Sequence, residues 1–184
     1  RRSGKSSLLE LLRLELIDNG EDQSQFLTIN FEDLASQEFS ASEINETIKA
    51  FCSKNPKRSY IFLDEVQEIT GWEKLVNSLR VTTNADIYIT GSNSNLLSGE
   101  LATHLAGRYI EVPVVTLSYK EVSDWNRQIS SAPLHPDELF QRYLRLGGFP
   151  FIYASELDDR AALSYLLDIY QSIILKDIVA RYGV

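Results

Sequence analysis

Apolar residues recur along the chain in two alternating rhythms, and that alternation predicts the fold. Residues 6–17 carry Leu8, Leu9, Leu11, Leu12 and Leu16 on one wide face, the spacing of an amphipathic helix, and Asp18-Asn19-Gly20 stops it. A short β-rich run, QFLTINF, follows at 25–31. Residues 42–51 place Ile44, Ile48 and Phe51 at helical spacing with Ser42 as the expected N-cap, and Asn55-Pro56 breaks the chain. SYIFLDEV at 59–66 is different in kind: it is nearly continuously apolar, as in a parallel strand buried on both faces, and it runs into two carboxylates. A helix is expected over 72–79, a strand over 85–90, a helix over 96–105 and a last strand over 108–115. Strands alternating with helices imply an α/β fold with a parallel sheet and helices on both faces.

Past Leu117 the strand rhythm stops. Residues 137–146 read as a helix, Gly147-Gly148-Phe149-Pro150 as a turn, and 159–182 as a long helix with Leu163, Leu166, Leu167, Tyr170, Ile173, Ile174 and Ile178 along one side. The acidic stretch ELDD at 156–159 is the expected start of that helix, with Asp158 or Asp159 as its cap.

Composition narrows the class without changing this picture. At 184 residues, 43% hydrophobic and 24% charged, the chain is an ordinary globular one, long enough for one core and part of a second. Its longest apolar runs fall far short of the ~18 residues of a membrane helix, and nothing resembles a signal peptide, so no membrane partner and a cytoplasmic location are the default expectations. Cys52 is the only cysteine, which excludes an intrachain disulfide and a thiolate metal cluster. A net charge of −8 works against non-specific nucleic-acid binding, which needs an excess of Lys and Arg.

Three stretches carry chemistry. Arg2-Ser3-Gly4-Lys5-Ser6 reads as the end of the phosphate-loop pattern G-x-x-x-x-G-K-[ST], whose opening Gly falls before Arg1. In such a loop, backbone N–H groups backed by a helix N-terminus cradle phosphate oxygens, the Lys reaches the β- and γ-phosphates, and the Ser holds Mg²⁺. Lys5 and Ser6 suit those two roles, with Ser7 in the same helical turn. The second stretch, IFLDE, delivers Asp64 and Glu65 at the end of an apolar strand, one carboxylate for Mg²⁺ through water and one to polarise the attacking water. The third, IYITGSN, ends a strand in polar residues; Ser92 or Asn93 would face the γ-phosphate or the water, and the same segment also reads as a plain polar turn.

From RRSGKSSLLELL through YIFLDEVQEITGWEKLVNSLR, DIYITGSNSNLLSGELATHLAGRYIEV and LSYKEV, to LGGFP and ILKDIVARY, the chain resembles the bacterial and archaeal AAA-type P-loop ATPases that carry a C-terminal domain of uncertain function. The resemblance implies the additional-strand P-loop fold with sheet order 5-1-4-3-2, and ATP with Mg²⁺ as ligands. Residues 1–116 would form the ATPase core, and 117–184 a helical lid and the start of a winged-helix-like region. Lys5 and Ser6 match Walker A; Asp64 and Glu65 match Walker B; Asn93 matches the first sensor, with Ser92 next to it. Arg108, in LAGRY, matches an arginine that can face a neighbouring subunit's γ-phosphate, and a surface ion pair explains it as well. Pro150, in LGGFP, matches a turn that approaches the adenine; a helix C-cap followed by a stop accounts for the same residues. Arg142 and Arg145 are candidates for a second sensor. The implied activity is ATP hydrolysis coupled to rearrangement of a partner domain or complex, with a slow nucleotide-controlled switch, or an inert fragment, as the alternatives. Implied partners are the protein's own C-terminal domain beyond Val184 and further copies of the chain; nucleic acid enters by family analogy alone.

The sequence departs from the family at its front. The strand that should precede the loop is central in the expected sheet, so without it strands 4 and 5 lose their shared partner. The chain is therefore expected to be a piece of a longer protein, or to fill that gap with another segment.

Overall fold

The computed structural model of the chain describes residues 2–33, 39–91 and 107–173. These divide into two compact units, Lys5–Val112 and Arg2–Gly4 together with Pro113–Val184.

The first unit is built on a three-stranded parallel sheet, β1 (Phe26–Asn30), β2 (Ser59–Asp64) and β3 (Ala85–Ile89), in the order β1-β2-β3. These match strands two, three and four of the expected order, the consecutive run 4-3-2, with the Walker B strand beside the sensor strand. Central β2 is buried along its whole length, which explains why its sequence does not alternate. Its side chains still divide between two faces. Ile61 and Leu63 join Phe31, Val66 and side chains of α2 (Ala41–Lys54) and α3 (Trp72–Thr82) in one core. On the other face Phe26, Tyr60, Phe62 and Tyr88 stack in a row, with ring centroids 5.0 Å apart for Phe26 and Tyr60 and 4.8 Å for Phe62 and Tyr88. Each fully buried side chain of this size contributes roughly 1.5–3 kcal/mol, so β2 is the thermodynamic centre of the unit.

Helix α1 (Lys5–Asp18) begins at once after Gly4, as the loop-to-helix pattern predicts, although none of its side chains is fully buried and Leu8, Leu11 and Leu14 are exposed. Helix α2 starts two residues earlier than a Ser42 cap implies. Its cap is Ser40, not Ser42: the Glu43 N–H donates to the Ser40 hydroxyl at 3.3 Å, and the Ser40 N–H donates back to the Glu43 carboxylate at 2.8 Å. Ser-x-x-Glu satisfies two donors reciprocally, which Ser42 cannot do with Asn45 in the fourth position.

The expected strand over 108–115 does not form. Those residues carry no strand pairing, and Ile110 stands 92% exposed. A strand is defined by its partner, and the partner this one needs is the central strand that the family order places before the phosphate loop; no such strand is among the described residues. Among the described residues no strand pairs with the outer edge of β3. The helix expected over 96–105 and the continuation of the last helix past Ile173 lie outside the described residues.

The second unit is helical: α4 (Tyr119–Gln128), α5 (Pro136–Leu146), α6 (Pro150–Ala154) and α7 (Asp159–Ile173). Val122, Leu139, Leu146, Ile152, Tyr153 and Ala162 form its core. Ser118 and Glu121 make a second capping box at the start of α4, and the Ala161 N–H donates to Asp158 Oδ1 at 2.8 Å, which makes Asp158 the cap of α7. Buried Asn126 secures the loop before α5, donating to the Leu134 carbonyl at 3.0 Å and accepting the Leu134 N–H at 2.9 Å. Arg142 and Arg145 both pair with Asp159, and Arg142 also donates to the Leu157 carbonyl, so the two candidate sensor arginines tie α5 to the start of α7.

Tyr153 donates its hydroxyl to the Gly147 carbonyl at 2.6 Å. Burial pushes this phenol up to about 12, against the opposing pull of the Arg142 cation. Because the folded value lies above the unfolded value near ~10, the neutral, hydrogen-bonded phenol contributes fully below that pH and its contribution is lost as pH rises through about 12. Tyr153→Phe is expected to cost ~1 kcal/mol at neutral pH and to flatten the alkaline loss of stability. Urea unfolding of both proteins at neutral and alkaline pH checks this; parallel stability curves would exclude Tyr153 as the group responsible.

Candidate functional site

The parallel ladder brings the carboxyl ends of the three strands together, and the pairing continues one residue beyond each strand. The Phe31 N–H donates to the Asp64 carbonyl at 3.0 Å, and the Thr90 N–H donates to the Leu63 carbonyl at 2.9 Å. Asp64 therefore sits between the end of β1 and the end of β3. It is 6% exposed, and its Oδ1 accepts the Thr90 hydroxyl proton.

Immediately after Asp64 the chain turns sharply. Glu65 adopts φ 54° and ψ 48°, left-handed backbone that a non-glycine residue occupies at a cost of ~1–3 kcal/mol unless its surroundings hold it there. Two bonds hold it: the Glu65 N–H donates to Thr90 Oγ1 at 3.2 Å, and the Val66 N–H donates to the Thr90 carbonyl at 3.0 Å. The turn brings the half-buried Glu65 carboxylate against Gln67, whose amide donates to Oε2 at 2.6 Å. Among the described residues Oε1 of Glu65 and Oδ2 of Asp64 receive no hydrogen bond, so each carboxylate has one oxygen anchored and one available.

The loop before α1 ends in Gly4, at φ 94°, and the first turn of the helix contains no acidic side chain. Its free N–H groups form a site favourable to an anion. Among the described residues Lys5 makes no ion pair and Ser6 is exposed, so both are open to a ligand. The Ser6 hydroxyl and the Asp64 carboxylate are hard oxygen donors of the kind Mg²⁺ takes alongside water and phosphate oxygens. No group of three or more His, Cys, Asp or Glu that could hold a metal occurs among the described residues.

The hydrogen bonds link Asp64, Glu65, Thr90 and Gln67 to one another; among the described residues none joins Lys5, Ser6 or Ser7 to that group. Within the second unit the Arg2 guanidinium lies over the Tyr165 ring, 5.7 Å from its centroid, next to Ser3 in the chain. A Cβ added to Gly4 would lie 3.8 Å from Pro150 Cγ, so Pro150 is packed beside the loop's glycine at the start of α6. Arg108 is exposed and forms no ion pair among the described residues. Ser92 and Asn93 lie outside the described residues.

Thr90 and Gln67 escaped the sequence reading. Thr90 stands inside the quoted motif IYITGSN, one position before the residues chosen. The signal that finds it is register: Leu63 pairs with Ile89, which sets the next residues, Asp64 and Thr90, side by side. Gln67 is visible only once the backbone at Glu65 is known to reverse.

A family model described as an AAA domain matches residues 1–123. An uncharacterized protein of Haemophilus influenzae is 40% identical over 185 residues, covering 100% of this chain and 46% of the relative. An uncharacterized protein of Methanocaldococcus jannaschii is 32% identical over 191 residues, covering 100% of this chain and 41% of the relative. The chain thus spans less than half the length of these curated relatives. The match over residues 1–123, together with a parallel sheet that carries an Asp-Glu pair at the carboxyl end of its central strand, means that the chain belongs to the AAA-type P-loop ATPase family.

Proposed function

We propose that this chain is the core of an Mg²⁺-dependent ATPase that couples turnover to rearrangement of a partner domain or complex, working in the cytoplasm. The observation that carries the reading is the pair Asp64 and Glu65 at the end of a fully buried parallel strand, each carboxylate anchored through one oxygen and open through the other. Lys5 binds the β- and γ-phosphates, and the N–H groups around Gly4 and the first turn of α1 bind their oxygens. Ser6 and Asp64 hold Mg²⁺, which supplies positive charge against the phosphate oxygens when bound. Glu65 orients the attacking water and takes its proton at Oε1 as the water oxygen bonds to the γ-phosphorus and the bond to the bridging oxygen breaks, leaving ADP and phosphate. Asn93 is assigned to the same water, and Arg108 to the γ-phosphate of a neighbouring copy.

Calorimetric titration of the full-length protein with Mg-ATP tests the binding half of this reading. Replacing Lys5 by Ala removes charge-assisted bonds to phosphate and is expected to weaken binding about 10- to 100-fold. Unchanged affinity would remove Lys5 from the phosphate site.

A further inference from the structure

Thr90 uses every polar group it has on the turn that carries the two acidic residues. Its N–H donates to the Leu63 carbonyl, its carbonyl accepts the Val66 N–H, and its hydroxyl donates to Asp64 Oδ1 while accepting the Glu65 N–H. The residue is 8% exposed, so water does not readily replace those partners. Without the hydroxyl, the Glu65 N–H would lose its acceptor at the one non-glycine residue of β2's exit that stands in left-handed backbone.

We propose that Thr90 is a positioning residue for both carboxylates. Its hydroxyl decides which oxygen of Asp64 remains open and pins the left-handed turn that carries Glu65 away from the strand direction towards Gln67. A single hydroxyl proton and a single lone pair thereby couple the end of β3 to both acidic groups. The catalytic consequence rests on the ATPase reading above; the geometric coupling does not.

Two substitutions separate these levels. Thr90→Val keeps the shape and β-branching but removes the hydroxyl, whereas Thr90→Ser keeps the hydroxyl. In the full-length protein, amide hydrogen exchange at Glu65 and Val66 is measured by NMR alongside steady-state ATP turnover. Thr90→Val is expected to speed exchange at the Glu65 amide about 5- to 10-fold, while the Val66 amide, bonded to the backbone carbonyl of residue 90, keeps its protection. Turnover number falls by about tenfold or more with little change in KM for ATP, and Thr90→Ser restores both readouts. Equal acceleration at both amides would indicate general loosening of the sheet and overturn the proposal, as would Glu65 exchange unchanged by valine or unrescued by serine. A wild-type protein that hydrolyses no ATP but shows the exchange pattern overturns the ATPase reading and supports the positioning role of Thr90.

Discussion

Replacing Glu65 by Gln is expected to lower the turnover number for ATP about 10²–10⁴-fold, the usual contribution of a positioned general base, while leaving Mg-ATP affinity nearly unchanged. Gln keeps the size of the side chain and an oxygen able to accept the bond from Gln67, which measures 2.6 Å in the native turn. It also keeps the backbone N–H that donates to Thr90. What it loses is the basic oxygen at Oε1. The substitution is therefore a change in proton affinity with little change in shape, and its effect belongs to kcat and not to binding. Phosphate release at saturating Mg-ATP, with calorimetric binding on the same preparations, checks the split. Equal turnover in the two proteins would remove Glu65 from the reaction, and a large loss of affinity would show that it holds the nucleotide instead.

Gly148→Ala is expected to destabilise the helical unit by about 3 kcal/mol or more, at the upper end of what over-packing costs. A Cβ at this position would lie 1.8 Å from the Leu117 carbonyl oxygen and 2.8 Å from its carbon. Leu117 cannot simply retreat, because its N–H donates to the Gly148 carbonyl at 2.7 Å and its own carbonyl accepts the Tyr143 hydroxyl at 3.1 Å. The clash is with backbone, and relief costs hydrogen bonds of ~1 kcal/mol each. Gly147→Ala is the useful comparison: nothing lies within 4 Å of its Cβ, and its φ of 70° imposes backbone strain without a collision. Urea denaturation of the three proteins measures both effects. An unchanged midpoint for Gly148→Ala would mean that the approach of Leu117 is not required for stability.

The same geometry shows how the LGGFP turn is built. Gly147 ends α5 with its N–H donated to the Tyr143 carbonyl at 2.8 Å, Gly148 admits the Leu117 backbone, and Pro150 opens α6. A C-cap, a close backbone approach and a proline at a helix start are the local roles of these residues. The packing of Pro150 beside Gly4 is a separate fact that this account does not explain.

Much of the architecture was legible in the sequence because it rests on local periodicity and on which residues the strands bury. The unbroken apolar run of β2 announced a strand covered on both sides, and Gly4-Lys5-Ser6 followed by leucines announced a loop feeding a helix. The two acidic residues were legible for the same reason: polar groups directly after a buried strand must lie at its end. Local pattern failed where a distant partner decides the outcome. Residues 108–115 have the composition of a strand, yet a strand forms only beside another, and their neighbour is not among the described residues. Ser42 looks as good a cap as Ser40 until the partner three positions later is considered.

By itself, then, the sequence determined the alternation of strands and helices, the parallel sheet and the placing of Asp64 and Glu65 at a strand end, since each follows from chemistry repeated within a few neighbouring residues. Only the tertiary structure decided how those carboxylates are aimed. The left-handed turn at Glu65 and the bonds from Thr90, 25 and 26 residues further along the chain, exist because the β2–β3 register sets two strand ends side by side, and register is a property of the assembled sheet.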